Sequence, residues 1–443
     1  MNPFLSFAGI WSLVFSLHYF HILYFYEDFS WKALYSIISG YIAALLITRV
    51  FGWNTALMTS DAREDQLRQI RAFLIFAFFI VLAIFFFELA IFKGLPLLWL
   101  LTGDSRTYAD FGITSLHGFF NALLLFVATV AGGFVIIQFD TRRSAIILGI
   151  AVLLMVVLYS RAMIFITLIQ LGSVALFILF RKMRTKHYLY SMAIVIFLMF
   201  GFGVMGNLRL DCSDVALPKD NPIVDTKTAS LPFKSRKALA VSDDSSTSPN
   251  DMLAFTSGGC NVYTFMVDNR RADLFRFIPS EFLWFYAYST GGLNNLIFNL
   301  EKADQNYTPR YTLAKLIPTA AYKYLNIEKK YDNFTLAHPA FTVSTAYAGV
   351  VSDFGYFGFS FTIPLLLISF AFYKKAISGS FSHIIIYSML FQSIILSPFI
   401  DTVLYSTFLL QMALVYIAGS KAMRMSAIKH RYAQIISNER NQR

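Results

Sequence analysis

Hydrophobic residues fall into ten long runs, at residues 4 to 26, 33 to 52, 72 to 92, 118 to 139, 144 to 160, 162 to 180, 188 to 206, 350 to 373, 381 to 398 and 403 to 420. A helix needs about 20 apolar residues to cross a hydrocarbon core about 30 Å thick, and most of the runs are that long. The pattern predicts an all-helical, polytopic bundle. One junction is ambiguous, because YSRAM at residues 159 to 163 separates two runs without a Gly or a Pro. Read as one helix, residues 144 to 180 would reach about 55 Å, nearly twice the core. A hairpin at Arg161 is the expected solution.

The charged connections favour the same solution. Arg63, Arg68 and Arg71, then Arg142 and Arg143, then Arg181, Lys182, Arg184 and Lys186, then Lys374 and Lys375, and the tail from Lys421 all fall on one side if the chain turns at Arg161. Lys and Arg accumulate on the cytoplasmic side, so the expected topology is ten spans with both termini cytoplasmic. No removable signal peptide is expected, since residues 4 to 26 lack a basic start and a small-residue cleavage site. Three parts follow: a seven-helix bundle over 1–206, a large outer loop over 207–349, and three further spans with a basic tail over 350–443. Within the loop, 211–251 is polar, as in SDDSSTSPND, and reads as loosely ordered. From Arg270 the chain becomes aromatic, RRADLFRFIPSEFLWFYAYSTGGLNNLIFN, and is expected to lie along the membrane interface.

Composition agrees with the pattern. The chain is 57% hydrophobic and 14% charged with a mean hydropathy of +0.57, whereas soluble domains are about 25% charged. Its net charge of +11 is accounted for by the cytoplasmic connections, so it argues topology and not nucleic-acid binding. The two cysteines, Cys212 and Cys260, are too few for structural zinc and leave a bridge and two free thiols both open.

Polar chemistry gathers on the outer side. Arg106, Arg161, Arg209 and Arg276 fall there, and guanidinium groups near a membrane surface suit a diphosphate, which they bind bidentately. Snorkelling to lipid headgroups is the alternative for each. Transfer of a sugar to a hydroxyl also needs a base, and His117, His338 and Asp353 are the candidates. Asp353 equally suits a cap on its own helix. Glu88, inside the third run, is expected to orient an arginine or to meet Lys93, and Glu281 is a second supporting carboxylate. The chain has no Asp-x-Asp pair, HExxH, GK[ST] phosphate loop or GxSxG elbow, so no metal and no cofactor are expected.

FFFELAIFKGLPLL followed by RTYADFGITSLHGFFNALL resembles a stretch of the bacterial O-antigen, or oligosaccharide repeat-unit, polymerases of the Wzy type. FRFIPSEFLWFYAYSTGGLNNLIFN and TVSTAYAGVVSDFGYFG are similar to two later segments of that family, in the same order. The resemblance implies a membrane-embedded type C glycosyltransferase of the bacterial inner membrane. Such an enzyme moves a growing glycan from undecaprenyl diphosphate to the terminal hydroxyl of another lipid-linked repeat unit, in lipopolysaccharide or related polysaccharide biosynthesis. A chain-length regulator is a candidate partner. The polar 211–251 segment is longer than the family pattern. The rival readings are an O-antigen ligase and a transporter or flippase; the last predicts charged or broken helices at mid-membrane.

Overall fold

The computed structural model describes residues 2–20, 27–50, 60–102, 106, 110–179, 200, 280–300, 309–317, 321, 337, 343–402 and 404–420. The predicted seventh run apart from Phe200, together with Arg209, Arg276, His338, Cys212 and Cys260, lies outside these residues, as do the side chains of Arg161 and Glu281. The chain forms two units, a larger one of Met1–Tyr19, Glu27–Met183 and Ser289–Arg443 and a smaller one of Phe20–Tyr26 and Arg184–Tyr288. In the smaller unit Phe200 packs on Phe282, with ring centroids 6.0 Å apart, and Trp284 on Tyr288 at 5.9 Å.

Every regular element among the described residues is helical. In order they are α1 (Pro3–Tyr19), α2 (Trp31–Val50), α3 (Ser60–Phe92), α4 (Pro96–Thr102), α5 (Leu116–Ile136), α6 (Thr141–Val157) and α7 (Arg161–Leu179). There follow α8 (Ser280–Leu300), α9 (Arg310–Leu316), α10 (Ala348–Phe354), a 3-10 segment (Gly355–Phe361), α11 (Thr362–Ile377), α12 (Phe381–Leu396) and α13 (Ser406–Ser420). Four stretches are long and apolar enough to cross a membrane: Trp31–Val50, Arg63–Trp99, Leu116–Ile136 and Ala348–Ile377. The chain is a membrane protein on this basis.

The break expected near Arg161 is present. α6 stops at Val157, Tyr159 takes a left-handed φ of 55°, and α7 starts at Arg161. Two helices therefore replace a single one too long for the hydrocarbon core.

The larger unit has two cores. One is built by α3, α5, α6, α7, α12 and α13 around α5, whose residues Phe120, Leu124, Phe126 and Val130 are fully enclosed. At its centre, Thr129 donates to Gln170 Oε1, Gln170 Nε2 to Gln392 Oε1 at 2.8 Å, and Gln411 Nε2 to Gln170 Oε1 at 3.1 Å. Four helices are thereby joined by amides that would be costly to leave unpaired in an apolar interior. The other core joins α1, α2, the second half of α8 and the 347–366 region.

Residues 289–300, part of the segment expected along the interface, are enclosed by the protein. An interfacial helix leaves one face to water and headgroups, but Ser289, Thr290, Leu293, Asn294, Asn295 and Leu296 are all buried. Asn294 Oδ1 accepts the Glu27 N–H at 2.7 Å, while Asn295 takes the Ala337 N–H and donates to the Val343 carbonyl. Gly292 lies so close to the Pro398 carbonyl that a Cβ would stand 2.4 Å from its oxygen. The small and amide residues of STGGLNNL are spent on close backbone packing.

The order of the helices sorts charge between the two ends of the bundle. At one end Arg71 pairs with Asp140 at 3.5 Å, Gln66 binds Ser380 and Ser382, and Phe134 stacks on Phe381. That end carries Arg68, Arg142, Arg143, Lys374 and Lys375. The opposite end carries the C-terminus of α3, the start of α5, the turn before Arg161, α9 and α10.

Candidate functional site

The FFFELAIF segment puts Glu88 one turn before the end of α3, where its side chain is wholly buried. A buried carboxylate must be paired or hydrogen-bonded, and the following loop and the first turn of α5 each supply one donor. Ile113 N–H reaches Oε1 at 3.1 Å, and His117 Nδ1 lies 2.9 Å from Oε2. The expectation that Glu88 orients an arginine or meets Lys93 is corrected: its partner is the histidine 29 residues later.

Two glycines allow the loop to return to Glu88. Gly112 has φ +98°, a conformation that L side chains rarely adopt, and a Cβ there would come within 2.4 Å of the His117 ring. At Gly94 a Cβ would stand 2.3 Å from Trp99 Nε1. The imidazole is stacked on Phe120 with centroids 5.6 Å apart and meets the edge of Phe111 at 5.8 Å. Phe111 also packs on Trp99 and Phe92, so the loop has an aromatic floor.

Arg106 is fixed to the same floor. Its guanidinium lies 4.3 Å from the Trp99 ring centroid, and Nη1 donates to the Phe92 carbonyl at 3.2 Å. The side chain remains exposed, so a cation stands on the loop that holds His117. Among the candidates with described side chains, Glu88 pairs with His117, and Arg106 lies on the Trp99 ring, which packs on the Phe111 that His117 meets. Arg161 heads α7 at the same end of the bundle, because α6 returns antiparallel to α5 and meets α4.

Asp353 is engaged elsewhere. It is buried in α10, and its two oxygens accept the Tyr311 and Thr312 N–H groups at 2.9 and 2.7 Å. The capping expectation therefore holds for a different helix, since Asp353 caps α9 and not its own. Beside it Lys315 Nζ meets Asp401 Oδ2 at 3.1 Å in an ion pair with side chains 13% and 2% exposed. Tyr347 binds the Thr362 hydroxyl, and burial pushes its phenol well above the ordinary value, with the Thr362 bond opposing the shift.

Sequence reasoning missed four residues. Trp99 carries Arg106, and the signal was an indole just past a Gly-x-Pro turn. Lys315 and Asp401 are 86 residues apart, with no local sign of pairing. Asn121 lies one turn after His117 on the same face of α5, and its side-chain oxygen is inside the protein with no hydrogen-bond partner among the described residues. No group of three His, Cys, Asp or Glu that could hold a metal occurs among the described residues.

Comparisons with protein-family models, with curated proteins and with solved structures give no match to this chain.

Proposed function

We propose that the chain is a membrane glycosyltransferase that joins lipid-diphosphate-linked oligosaccharide repeat units into an O-antigen or related surface polysaccharide. The observation that carries this reading is the single loop that presents the exposed Arg106 guanidinium and a His117 imidazole backed by a buried carboxylate. In this reading the acceptor hydroxyl attacks the anomeric carbon of the donor glycan and gives its proton to His117. The bond from that carbon to the diphosphate breaks, and the diphosphate leaves with the electron pair. Arg106, together with Arg161, Arg209 and Arg276, meets the developing charge; fixed donors aimed at such charge are commonly the largest contribution to catalysis. Ten spans in the bacterial inner membrane, cytoplasmic termini, the His117 end facing the periplasm and a chain-length regulator as partner belong to the same proposal. The family resemblance of the 85–98 and 106–124 segments supports it as well.

The test is incubation of purified protein in detergent with defined undecaprenyl-diphosphate repeat units, followed by sizing of the lipid-linked product. A ladder of longer glycans that His117→Ala and Arg161→Ala abolish is the expected result; an unchanged substrate band refutes the reading. A cysteine at position 160 should label from the periplasm. In a deletion strain, glycolipid bearing one repeat is expected, whereas accumulated lipid-linked polymer would indicate a ligase.

A transporter is the second reading, favoured by one observation. The helix of the eighth apolar run is interrupted at Gly355, with φ 55°, beside the buried Asp353. Both Asp353 oxygens are already taken by α9, however, which argues for a structural cap over an ion site. Chain elongation in detergent, where no gradient exists, separates the two.

A further inference from the structure

The Glu88 carboxylate determines more than the burial of its own charge. An ionised carboxylate only accepts hydrogen bonds, so both groups pointed at it must be donors. One is the Ile113 N–H, which cannot be otherwise. The other is His117 Nδ1, 2.9 Å from Oε2. The opposite tautomer would set an imidazole lone pair against a carboxylate lone pair inside the protein, where such repulsion is poorly screened. Neutral His117 therefore carries its proton on Nδ1, and its lone pair is on Nε2.

The surroundings of the ring fix which edge meets the outside. Phe120 covers one face, Phe111 abuts the ring, and the Gly112 α-carbon lies behind Cγ and Nδ1. The side chain is nevertheless 26% exposed while Glu88 is 0% exposed. Nε2 lies on the ring edge remote from Nδ1, away from Glu88 and Gly112.

We propose that Glu88 is a positioning residue of this site, holding His117 in the Nδ1–H form so that Nε2 is the atom that takes the proton of an incoming hydroxyl. The chemistry rests on the glycosyltransferase reading above. The acceptor O–H bond breaks as N–H forms on Nε2, the oxygen electron pair goes to the sugar carbon, and the leaving diphosphate carries away the electron pair of the bond it loses. Glu88 touches no substrate. Its effect is to exclude the tautomer in which Nε2 is already protonated and unable to act as a base.

The experiment uses the full chain in detergent micelles, labelled with 15N-histidine, with His117→Ala to assign one signal pair among the 7 histidines. The expected spectrum of neutral His117 shows a protonated-type Nδ1 and an unprotonated-type Nε2; the reverse assignment in the wild-type protein overturns the proposal. Glu88→Gln then offers one acceptor oxygen to two donors. It is expected to shift the His117 tautomer toward Nε2–H and to lower kcat for elongation of undecaprenyl-diphosphate repeat units at least about a hundredfold, the usual scale of general-base catalysis. KM should stay within about twofold, since ground-state contacts are untouched. Glu88→Asp, which keeps both acceptor oxygens, should retain the Nδ1–H signature and recover part of kcat. If Glu88→Gln folds and elongates at the wild-type rate while His117→Ala is inactive, the positioning role is wrong and the enzymatic reading stands. If His117→Ala itself elongates normally, the reading of the site falls. Should Glu88→Gln fail to fold, the wild-type tautomer alone decides.

Discussion

Gly112→Ala is the sharpest test of how the His117 loop is held. The residue sits at φ +98°, where a side chain costs about 1–3 kcal/mol. A second cost comes from contact: the new methyl would stand 2.4 Å from His117 Cγ and Nδ1, against a resting separation of about 3.5–4.0 Å. The ring must withdraw by about 1 Å, enough to stretch the 2.9 Å contact with Glu88 beyond hydrogen-bonding range. Loss of a bond to a charged group costs about 1.5–3 kcal/mol, so the total loss of stability is about 2.5–6 kcal/mol. Gly118→Ala, six residues on, is the matched control. No atom lies within 4 Å of a Cβ at Gly118, and an alanine inside a helix is favoured by up to about 1 kcal/mol.

A double-mutant cycle separates the two costs. In a His117→Ala background the methyl meets no ring but still the Cβ of residue 117, 2.8 Å away, so Gly112→Ala should cost the backbone strain of about 1–3 kcal/mol and that contact, without the loss of the Glu88 bond. The measurement is unfolding of purified protein in mixed micelles of rising SDS fraction, followed by tryptophan fluorescence. Equal costs of Gly112→Ala in the two backgrounds would show that the ring does not rest on Gly112, and the geometry of the site would have to be redrawn.

Three further outcomes follow from the same structure. Lys315→Met should destabilise by about 3–5 kcal/mol because it strands the buried Asp401, and a Lys315→Met, Asp401→Leu double variant should recover most of that loss in the same SDS titration. Gln170→Leu removes the shared partner of Thr129, Gln392 and Gln411 and should cost about 1–2 kcal/mol; no loss would mean that the amides are satisfied without it. Asp353→Ala deprives Tyr311 and Thr312 of their acceptor, so hydrogen exchange across α9 should accelerate about five- to thirtyfold, matching a lost cap of about 1–2 kcal/mol, with little change in α5.

Much of the helix plan was legible because it follows from composition and length. The break before Arg161 could be inferred from two constraints that need no tertiary information, the thickness of a bilayer and the side on which basic residues collect. Partners were far less legible. Glu88 stood out as a costly charge, and an arginine was the natural guess, since attraction between opposite charges can be counted along a sequence. Its actual partner depends on a turn at Gly112 that brings back a residue 29 positions later, and backbone conformation at one glycine is not written in hydropathy. Asp353 shows the same limit, because its capping role was readable while the capped helix, more than 40 residues upstream, was not.

The close packing of residues 289–300 went unread for a different reason. Aromatic and apolar residues with a basic lead suggested a helix lying flat, yet STGGLNNL contains the opposite signal. Glycines allow backbones to approach, and asparagines beside them can pair with backbone groups in an apolar interior, which is the composition of a helix packed inside a membrane bundle. Gly292 against Pro398 and Asn295 against Ala337 and Val343 are both uses of it. Leu293, Leu296, Ile297 and Leu300 share a core with α1 and α2, so residues 289–300 are a structural part of the larger unit. Of the described candidates, Arg106 lies exposed on the Trp99 ring, and the Nε2 edge of His117 faces away from Glu88 and Gly112.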